Sequence, residues 1–163
     1  MEIINATQEH YSIIKDIAYK TWPDTFGQIL SKDQIDYMLS MMYSIEAMKN
    51  QITELNHKYF LIAEKGIFFG YLSYQINYKP QITKIHKIYV LPDTQGKGIG
   101  KKLIQEVEKR AIKEKNKLLI LNVNRFNKAV SFYKNMGFSI SGSENIDIGK
   151  GFLMEDYIME KEV

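Results

Sequence analysis

The spacing of apolar and polar residues divides the chain into a helical first part and a strand-rich second part. A short strand is predicted over Glu2–Ala6, after which apolar positions recur at helical spacing. Helices are predicted from an N-cap at Thr7 to a break at Trp22-Pro23-Asp24, over Ser31–Met42 and over Ser44–Leu55. Aromatic and β-branched residues then predict three strands: Tyr59–Glu64, Ile67–Tyr78 and Thr83–Leu91.

The clearest helix in the pattern is Gly98–Asn116, because its apolar residues Ile99, Leu103, Val107 and Ala111 are spaced by four. A strand, a helix and two further strands are predicted after it, over Lys117–Val123, Asn127–Met136, Ser139–Ile148 and Phe152–Glu160. This order predicts an α/β (α+β mixed) fold, in which a mixed sheet of six to seven strands is flanked by helices. No linker interrupts it, so we expect one domain over residues 1–163.

Composition excludes several classes of protein. Hydrophobic residues make up 45% and charged residues 25% of the chain, which is typical of globular proteins. The chain has no cysteine, which excludes disulfides, Cys-ligated zinc and thiol catalysis, and three scattered histidines predict no metal site. The apolar runs are too short for a membrane span, and the first residues do not resemble a signal peptide. We therefore expect a soluble, cytoplasmic protein with no membrane partner.

Charge is distributed unevenly. Residues 1–60 contain 5 lysines and 8 acidic residues, whereas residues 95–134 contain 11 basic and 3 acidic residues. Such a basic stretch attracts a nucleic acid, an anionic surface or a phosphorylated small molecule, unless it is only a solvated helix face. Nucleic-acid binding favours exposed aromatic residues among the basic ones. Because Phe126, Phe132 and Tyr133 lie in or next to a helix whose apolar face packs inward, we expect no nucleic-acid partner.

A glycine-rich turn joins a predicted strand to the clearest helix. It reads Gln95-Gly96-Lys97-Gly98-Ile99-Gly100-Lys101, and it matches neither the dinucleotide-binding fingerprint nor the Walker loop. Free N–H groups at the start of a helix favour an anion, whereas Lys97, Lys101 and Lys102 at that position are unfavourable without one. The turn therefore predicts a site for a polyphosphate.

The same residues resemble a known family. Gln95-Gly96-Lys97-Gly98-Ile99-Gly100 matches the Q/R-x-x-G-x-G/A motif of the GCN5-related N-acetyltransferases (GNAT), and it follows a similar strand ending Ile88-Tyr89-Val90-Leu91-Pro92. Further on, Asn127, Ala129, Phe132-Tyr133 and Gly137-Phe138 resemble the family's N-x-A-x-x-x-Y-x-x-x-G-F segment. The resemblance covers about residues 59–163.

The resemblance implies a fold and a donor. The fold is the acyl-CoA N-acyltransferase fold, whose mostly antiparallel sheet has a gap between its fourth and fifth strands. Acetyl-CoA is expected to lie in that gap along Thr83–Leu91. The resemblance implies that Tyr89 and Val90 on this strand bind the cofactor and that the backbone of Val90 holds the acetyl carbonyl. It places Asn127 at the pantetheine and Tyr133 beside the sulfur. The residues implied around the pyrophosphate are Gln95, Gly96, Lys97, Gly98, Ile99, Gly100 and Lys101.

The expected reaction is direct attack of a primary amine on the thioester, which needs an acid for the departing thiolate. Tyr133 suits this role, because a tyrosine pKa lies above that of a thiol. The general base is open: His86 on the fourth strand is one candidate, and water is the other. A packing role for Tyr133 and a structural role for His86 are the alternatives.

The acceptor is expected between the first helices and the last strands. Trp22, Phe26 and Tyr37 are the candidate substrate-binding residues, and the acidic balance of residues 1–60 favours a cationic amine. A polyamine is one candidate acceptor, and this region weakly resembles polyamine acetyltransferases. The alternatives are a protein or peptide amine and a non-catalytic acyl-CoA-binding module. Pairing of an exposed last strand would give a homodimer.

Overall fold

The computed structural model describes all residues 1–163 as seven strands and five α-helices. The helices are α1 (Tyr11–Phe26), α2 (Lys32–Tyr43), α3 (Ile45–Thr53), α4 (Ile99–Lys113) and α5 (Ala129–Asn135). The strands are β1 (Glu2–Asn5), β2 (Lys58–Glu64), β3 (Ile67–Lys79), β4 (Ile82–Val90), β5 (Leu118–Asn124), β6 (Ser139–Gly149) and β7 (Phe152–Glu162). None of the helices has the length and apolar content that a membrane crossing requires.

All seven strands form one sheet in the order β1-β2-β3-β4-β5-β7-β6. Every neighbouring pair is antiparallel except β4 and β5, which are parallel and are joined through α4. A parallel pair needs such a crossover, since a short turn cannot reverse the chain twice. The prediction of a mixed, mostly antiparallel sheet with flanking helices is confirmed. The expectation of an exposed last strand is wrong, because β7 lies between β5 and β6 and is paired on both sides.

Each face of the sheet carries its own hydrophobic core. On one face, Leu103 and Val107 of α4 pack against Leu119 and Leu121 of β5. On the other face, α1, α2 and α3 cover the aromatic side chains of the first strands. The largest buried residues of this second core are Trp22 of α1, Tyr43 of α2 and Tyr71 of β3. The candidate site lies between these two cores, where β4 and β5 separate.

A β-bulge in β4 precedes that separation. Ile85 pairs with Tyr74 of β3 and Lys87 pairs with Ser73, so His86 is an additional residue that has no partner on β3. A bulge bends its strand and increases the local twist. The pairing of β4 with β5 starts at Ile82 and ends at Ile85, immediately before the bulge. The two strands are therefore joined over only four residues each.

Helix α1 continues through a position where the sequence pattern predicts its end. Trp22-Pro23-Asp24 was expected to break the helix, but α1 extends to Phe26 with Pro23 inside it. Proline removes one backbone hydrogen bond and bends a helix. Here Trp22 and Phe26, on either side of the proline, are both buried and pack against each other with ring centroids 4.8 Å apart. Their burial holds the last turn in place.

Candidate active site

The separation of β4 and β5 leaves a gap in the middle of the sheet. Beyond Ile85 and Leu121 the two strands no longer pair, although β4 continues to Val90 and β5 to Asn124. Backbone groups of an unpaired strand edge need hydrogen-bond partners. The gap therefore suits an extended ligand that carries amide groups of its own.

The glycine-rich turn lies at the end of β4 and directly before α4. Gly96 and Gly98 both have positive φ angles, +84° and +76°, and Gly98 is the N-cap of α4. A side-chain carbon added at either glycine would meet no atom within 4 Å, so open space lies in front of the turn. The first turn of α4 contains no acidic residue, and Lys101 and Lys102 are exposed there. The positive end of the helix and these ammonium groups together fit a phosphate-bearing ligand.

Gly100, whose predicted part in cofactor binding stays a prediction, has a packing role. A side-chain carbon at this position would lie 3.1 Å from the ring of Phe132. Phe132 precedes Tyr133 on α5, and the two rings are 5.3 Å apart. The third glycine therefore lets α4 approach α5 closely and so positions the segment that carries Tyr133.

Tyr133 lies on α5, which follows β5 and covers the same core. The side chain is 6% exposed and packs edge-on against Phe138, and its hydroxyl makes no hydrogen bond within the chain. Burial raises the pKa of Tyr133, so the hydroxyl keeps its proton at neutral pH and is able to donate it. Asn127 begins the same segment: its Oδ1 accepts from the backbone N–H of Ala129 at 2.9 Å. This bond explains why α5 begins at Ala129 and not at Asn127, as the pattern predicted.

Tyr89 and Val90 occupy opposite faces of the last part of β4. Val90 packs against the core under α4, whereas the ring of Tyr89 lies on the face covered by α1, with Trp22 at 5.7 Å and Tyr71 at 5.9 Å. Trp22 is 1% exposed and Phe26 is buried beside it. Trp22 therefore supports the ring of Tyr89, and Phe26 packs on Trp22 in turn. Direct contact of either residue with an acceptor stays a prediction.

Tyr37 connects α2 to the hairpin of β6 and β7. Its hydroxyl donates to the carbonyl of Ile148 at 2.7 Å, and its ring packs on Phe152 at 5.5 Å. Gln34 adds a second link, donating to the carbonyl of Leu153 at 2.7 Å. An open groove of about 460 Å³ lies along this contact and is lined by Asp33, Asp36, Tyr37, Ser40, Lys150 and Phe152.

His86 points to a different neighbourhood. Its ring stacks on His57 at 3.8 Å, and its Nε2 lies 3.1 Å from Oε1 of Gln75. Burial, together with the nearby His57 and lysines, lowers the pKa of His86 to about 3. Val90 lies four positions further along the strand, which corresponds to about 13 Å. A base role for His86 stays a prediction, and both its pKa and its position weigh against it.

Two features of the site do not follow from the sequence pattern. Phe126, expected on an inward-facing surface, is 65% exposed in the loop before α5, because the helix begins three residues later. Asp156 of β7 is a buried acidic residue one strand away from the gap, and nothing in the local sequence distinguishes it from the other acidic residues. Only the pairing of β7 with β5, which sets Asp156 opposite Asn124, brings it there.

Comparisons with known proteins agree with this geometry. A family model described as the acetyltransferase (GNAT) domain matches residues 28–161. The chain is 25% identical to a spermidine N(1)-acetyltransferase of Thermoplasma acidophilum, over 99% of this chain and 97% of that protein. It is 42% identical to a peptidyl-lysine N-acetyltransferase of Salmonella typhimurium, over 40% of this chain and 43% of that protein.

A solved structure shows the same fold. The PaiA N-acetyltransferase from Thermoplasma acidophilum, in complex with coenzyme A, superposes with a TM-score of 0.84 at 26% identity, over 99% of this chain and 98% of that one. The match of the family model spans most of the chain and includes the glycine-rich turn, the gap and Tyr133. The chain therefore belongs to the GNAT family and is an acetyl-CoA-dependent N-acetyltransferase.

Proposed function

We propose that the enzyme transfers the acetyl group of acetyl-CoA to a primary amine of a cationic acceptor, with a polyamine as the favoured class. The observation that carries the proposal is the gap between β4 and β5, which has a phosphate-type turn at its end and Tyr133 beside it. These features lie together at the point where a thioester and an amine would have to meet.

On this proposal, the residues of the chain divide the work. Gly96 and Gly98 give the turn its shape, and Lys97 and Lys101 supply positive charge for the phosphates. The backbone of Val90 would hold the acetyl carbonyl, and Asn127 would contact the pantetheine. Tyr133 keeps its proton at neutral pH and would donate it to the departing thiolate.

The acceptor class is supported by charge and by similarity. The groove beside α2 carries Asp33 and Asp36, and its aromatic wall is formed by Tyr37 and Phe152. Two lysines of the chain already use part of this surface: Lys32 pairs with Asp36 at 3.0 Å, and the Lys150 ammonium lies 5.0 Å from the centre of the Tyr37 ring. Carboxylates and aromatic faces both attract ammonium groups. The full-length similarity to a spermidine acetyltransferase points to the same class. A peptide lysine is the second candidate, supported by a similarity that spans 40% of the chain. The cytoplasmic location and the homodimer remain predictions.

A thiol-release assay with acetyl-CoA across a panel of amines tests this proposal. We expect spermidine to give a higher kcat/KM than a lysine peptide, and both to exceed a primary amine with an uncharged body. Asp33→Asn combined with Asp36→Asn should raise the KM for spermidine several-fold, since two attractive charges are lost. The matched control is Asp16→Asn with Glu54→Gln, which removes two exposed charges away from the groove. A preference for acidic or neutral amines would contradict the proposed acceptor class.

A further inference from the structure

Asp156 lies on β7, one strand away from the gap, on the face of the sheet that α1 and α2 cover. It pairs with Asn124, in the half of β5 that β4 has left. Leu121 and Val123 of β5 point into the core under α4, so the alternating Asn122 and Asn124 point to the opposite face. Because paired residues of neighbouring strands share a face, Asp156 points the same way as these two asparagines.

The carboxylate of Asp156 is buried without a cationic partner. The residue is 2% exposed and forms no ion pair; Lys84 and Arg125 act on its charge only from a greater distance. Its hydrogen-bond donor within the chain is Nδ2 of Asn122, at 3.3 Å from Oδ2, and that amide also donates to Oε1 of Glu144 at 2.5 Å. A buried carboxylate without a cation is costly in free energy. An ammonium group that enters from the gap would supply the missing charge.

The surroundings place this carboxylate among the groups of the proposed reaction. Tyr89 on β4 has a raised pKa, to which burial contributes most and the charges of Tyr133 and Asp156 contribute in addition. Tyr133 and Asp156 are thus both close enough to Tyr89 to act on its charge. Burial is also the main cause that raises the pKa of Asp156, with a further contribution from Glu144. A carboxylate with a raised pKa is a better proton acceptor than an exposed one.

We propose that Asp156 receives the ammonium group of the acceptor and takes one proton from it before the attack, while Asn122 holds the carboxylate in position. This inference rests on the proposed function and names the residue that deprotonates the acceptor amine. The other candidate base, His86, faces His57 and Gln75 about 13 Å along β4 from Val90.

The protons balance in this scheme. The acceptor enters as an ammonium with three protons, and the first of them passes to the Asp156 carboxylate and then to water. The free amine attacks the carbonyl carbon, so that the N–C bond forms and the C–S bond breaks. Tyr133 protonates the departing thiolate and recovers a proton from the attacking nitrogen. The third proton stays in the product amide.

The pH profile of Asp156→Asn tests the inference. We expect kcat/KM for spermidine at pH 7 to fall by roughly 10²-fold, which is typical of the loss of an acid–base group. The loss should shrink as the pH approaches 10, because free amine then forms without a protein base. The rise in melting temperature caused by acetyl-CoA should stay unchanged. Glu155→Gln is the matched control: it removes one charge from the neighbouring residue, which points to the other face of β7, and should leave the profile unchanged.

Asn122→Ala provides a second test that does not remove the carboxylate. The hydrogen bond from Asn122 lowers the pKa of Asp156, so its loss should move the acid limb of the profile to higher pH. The charged and titratable groups that act on Asp156, and whose titration the pH profile also reflects, are Lys84 and Tyr89 from β4, Arg125 after β5 and Glu144 from β6.

Three outcomes would overturn the role of Asp156. The first is a wild-type kcat/KM for Asp156→Asn at pH 7. The second is an equal loss at every pH up to 10 while the effect of acetyl-CoA on melting is kept, because that pattern indicates a purely structural role. The third is a wild-type enzyme that releases no thiol with any amine, which refutes the proposed function itself and this role with it.

Discussion

Replacement of Gly98 by glutamate tests the assignment of the glycine-rich turn as the phosphate site. Gly98 has a φ angle of +76° at the start of α4, and a side chain there would extend into open space. Two effects are expected. The left-handed conformation costs a non-glycine residue about 1–2 kcal/mol, which lowers the melting temperature by roughly 2–8 °C in a chain of this length. The carboxylate also places negative charge where the phosphates would bind.

Gly66→Glu separates these two effects. Gly66 lies in the turn between β2 and β3, has a φ angle of +78° and also faces open space. The change therefore introduces the same charge and a similar backbone strain away from the proposed phosphate site. Both variants should melt at a similar, lower temperature when no ligand is present.

The assay is thermal melting with and without acetyl-CoA. At a concentration of 100 times Kd, a ligand that binds only the folded state stabilises it by about 2.7 kcal/mol, or roughly 5–11 °C for this chain. The wild type and Gly66→Glu should show that rise, and Gly98→Glu should not. A wild type without any rise would refute the donor site, and equal rises for both variants would refute the role of the turn.

Two further predictions concern buried side chains. Tyr133→Phe should lower kcat by roughly 10²-fold and leave acetyl-CoA affinity nearly unchanged, because the hydroxyl proton is needed only in the transition state. A near-normal rate in single-turnover kinetics would show that Tyr133 is only a packing residue. Lys87 is 5% exposed, with its ammonium 2.9 Å from Gln51 Oε1, and burial lowers its pKa from 10.5 to about 7. The folded state therefore binds fewer protons than the unfolded state between pH 7 and 10.5. The free energy of unfolding of the wild type, measured in urea relative to Lys87→Met, should rise across that window by on the order of 4 kcal/mol. Equal pH dependence of the two free energies would contradict the lowered pKa.

Features that depend on local sequence were predictable. The four-residue spacing of apolar side chains in α4 gives the helix its buried face, and the structure confirms the helix over Ile99–Lys113. The glycines before it signal a special backbone conformation, and Gly96 and Gly98 do have positive φ angles. In these cases the chemical cause and the structural effect lie within a few residues of each other.

Features that depend on pairing between distant segments were not predictable. The bulge at His86 appears only when β4 is aligned with β3, and it explains where β4 leaves β5. Asp156 reaches the gap through the register of β7 on β5. Pro23 was misleading for a similar reason, because the burial of Trp22 and Phe26 against distant strands outweighs the local cost of proline in a helix.

The link between α2 and the β6–β7 hairpin has a consequence for how such an enzyme diverges over time. Gly149 has a φ angle of +94°, and a side-chain carbon there would come within 2.9 Å of the Tyr37 hydroxyl. The left-handed backbone strains any side chain at 149, and the Tyr37 hydroxyl obstructs it in addition, so a larger residue at 149 costs least together with a smaller one at 37. These two positions should change as a pair among descendants of this chain, and each paired change would reshape the groove while the glycine-rich turn stays as it is. On the proposed function, acceptor preference is thus able to drift while the donor site is inherited unchanged.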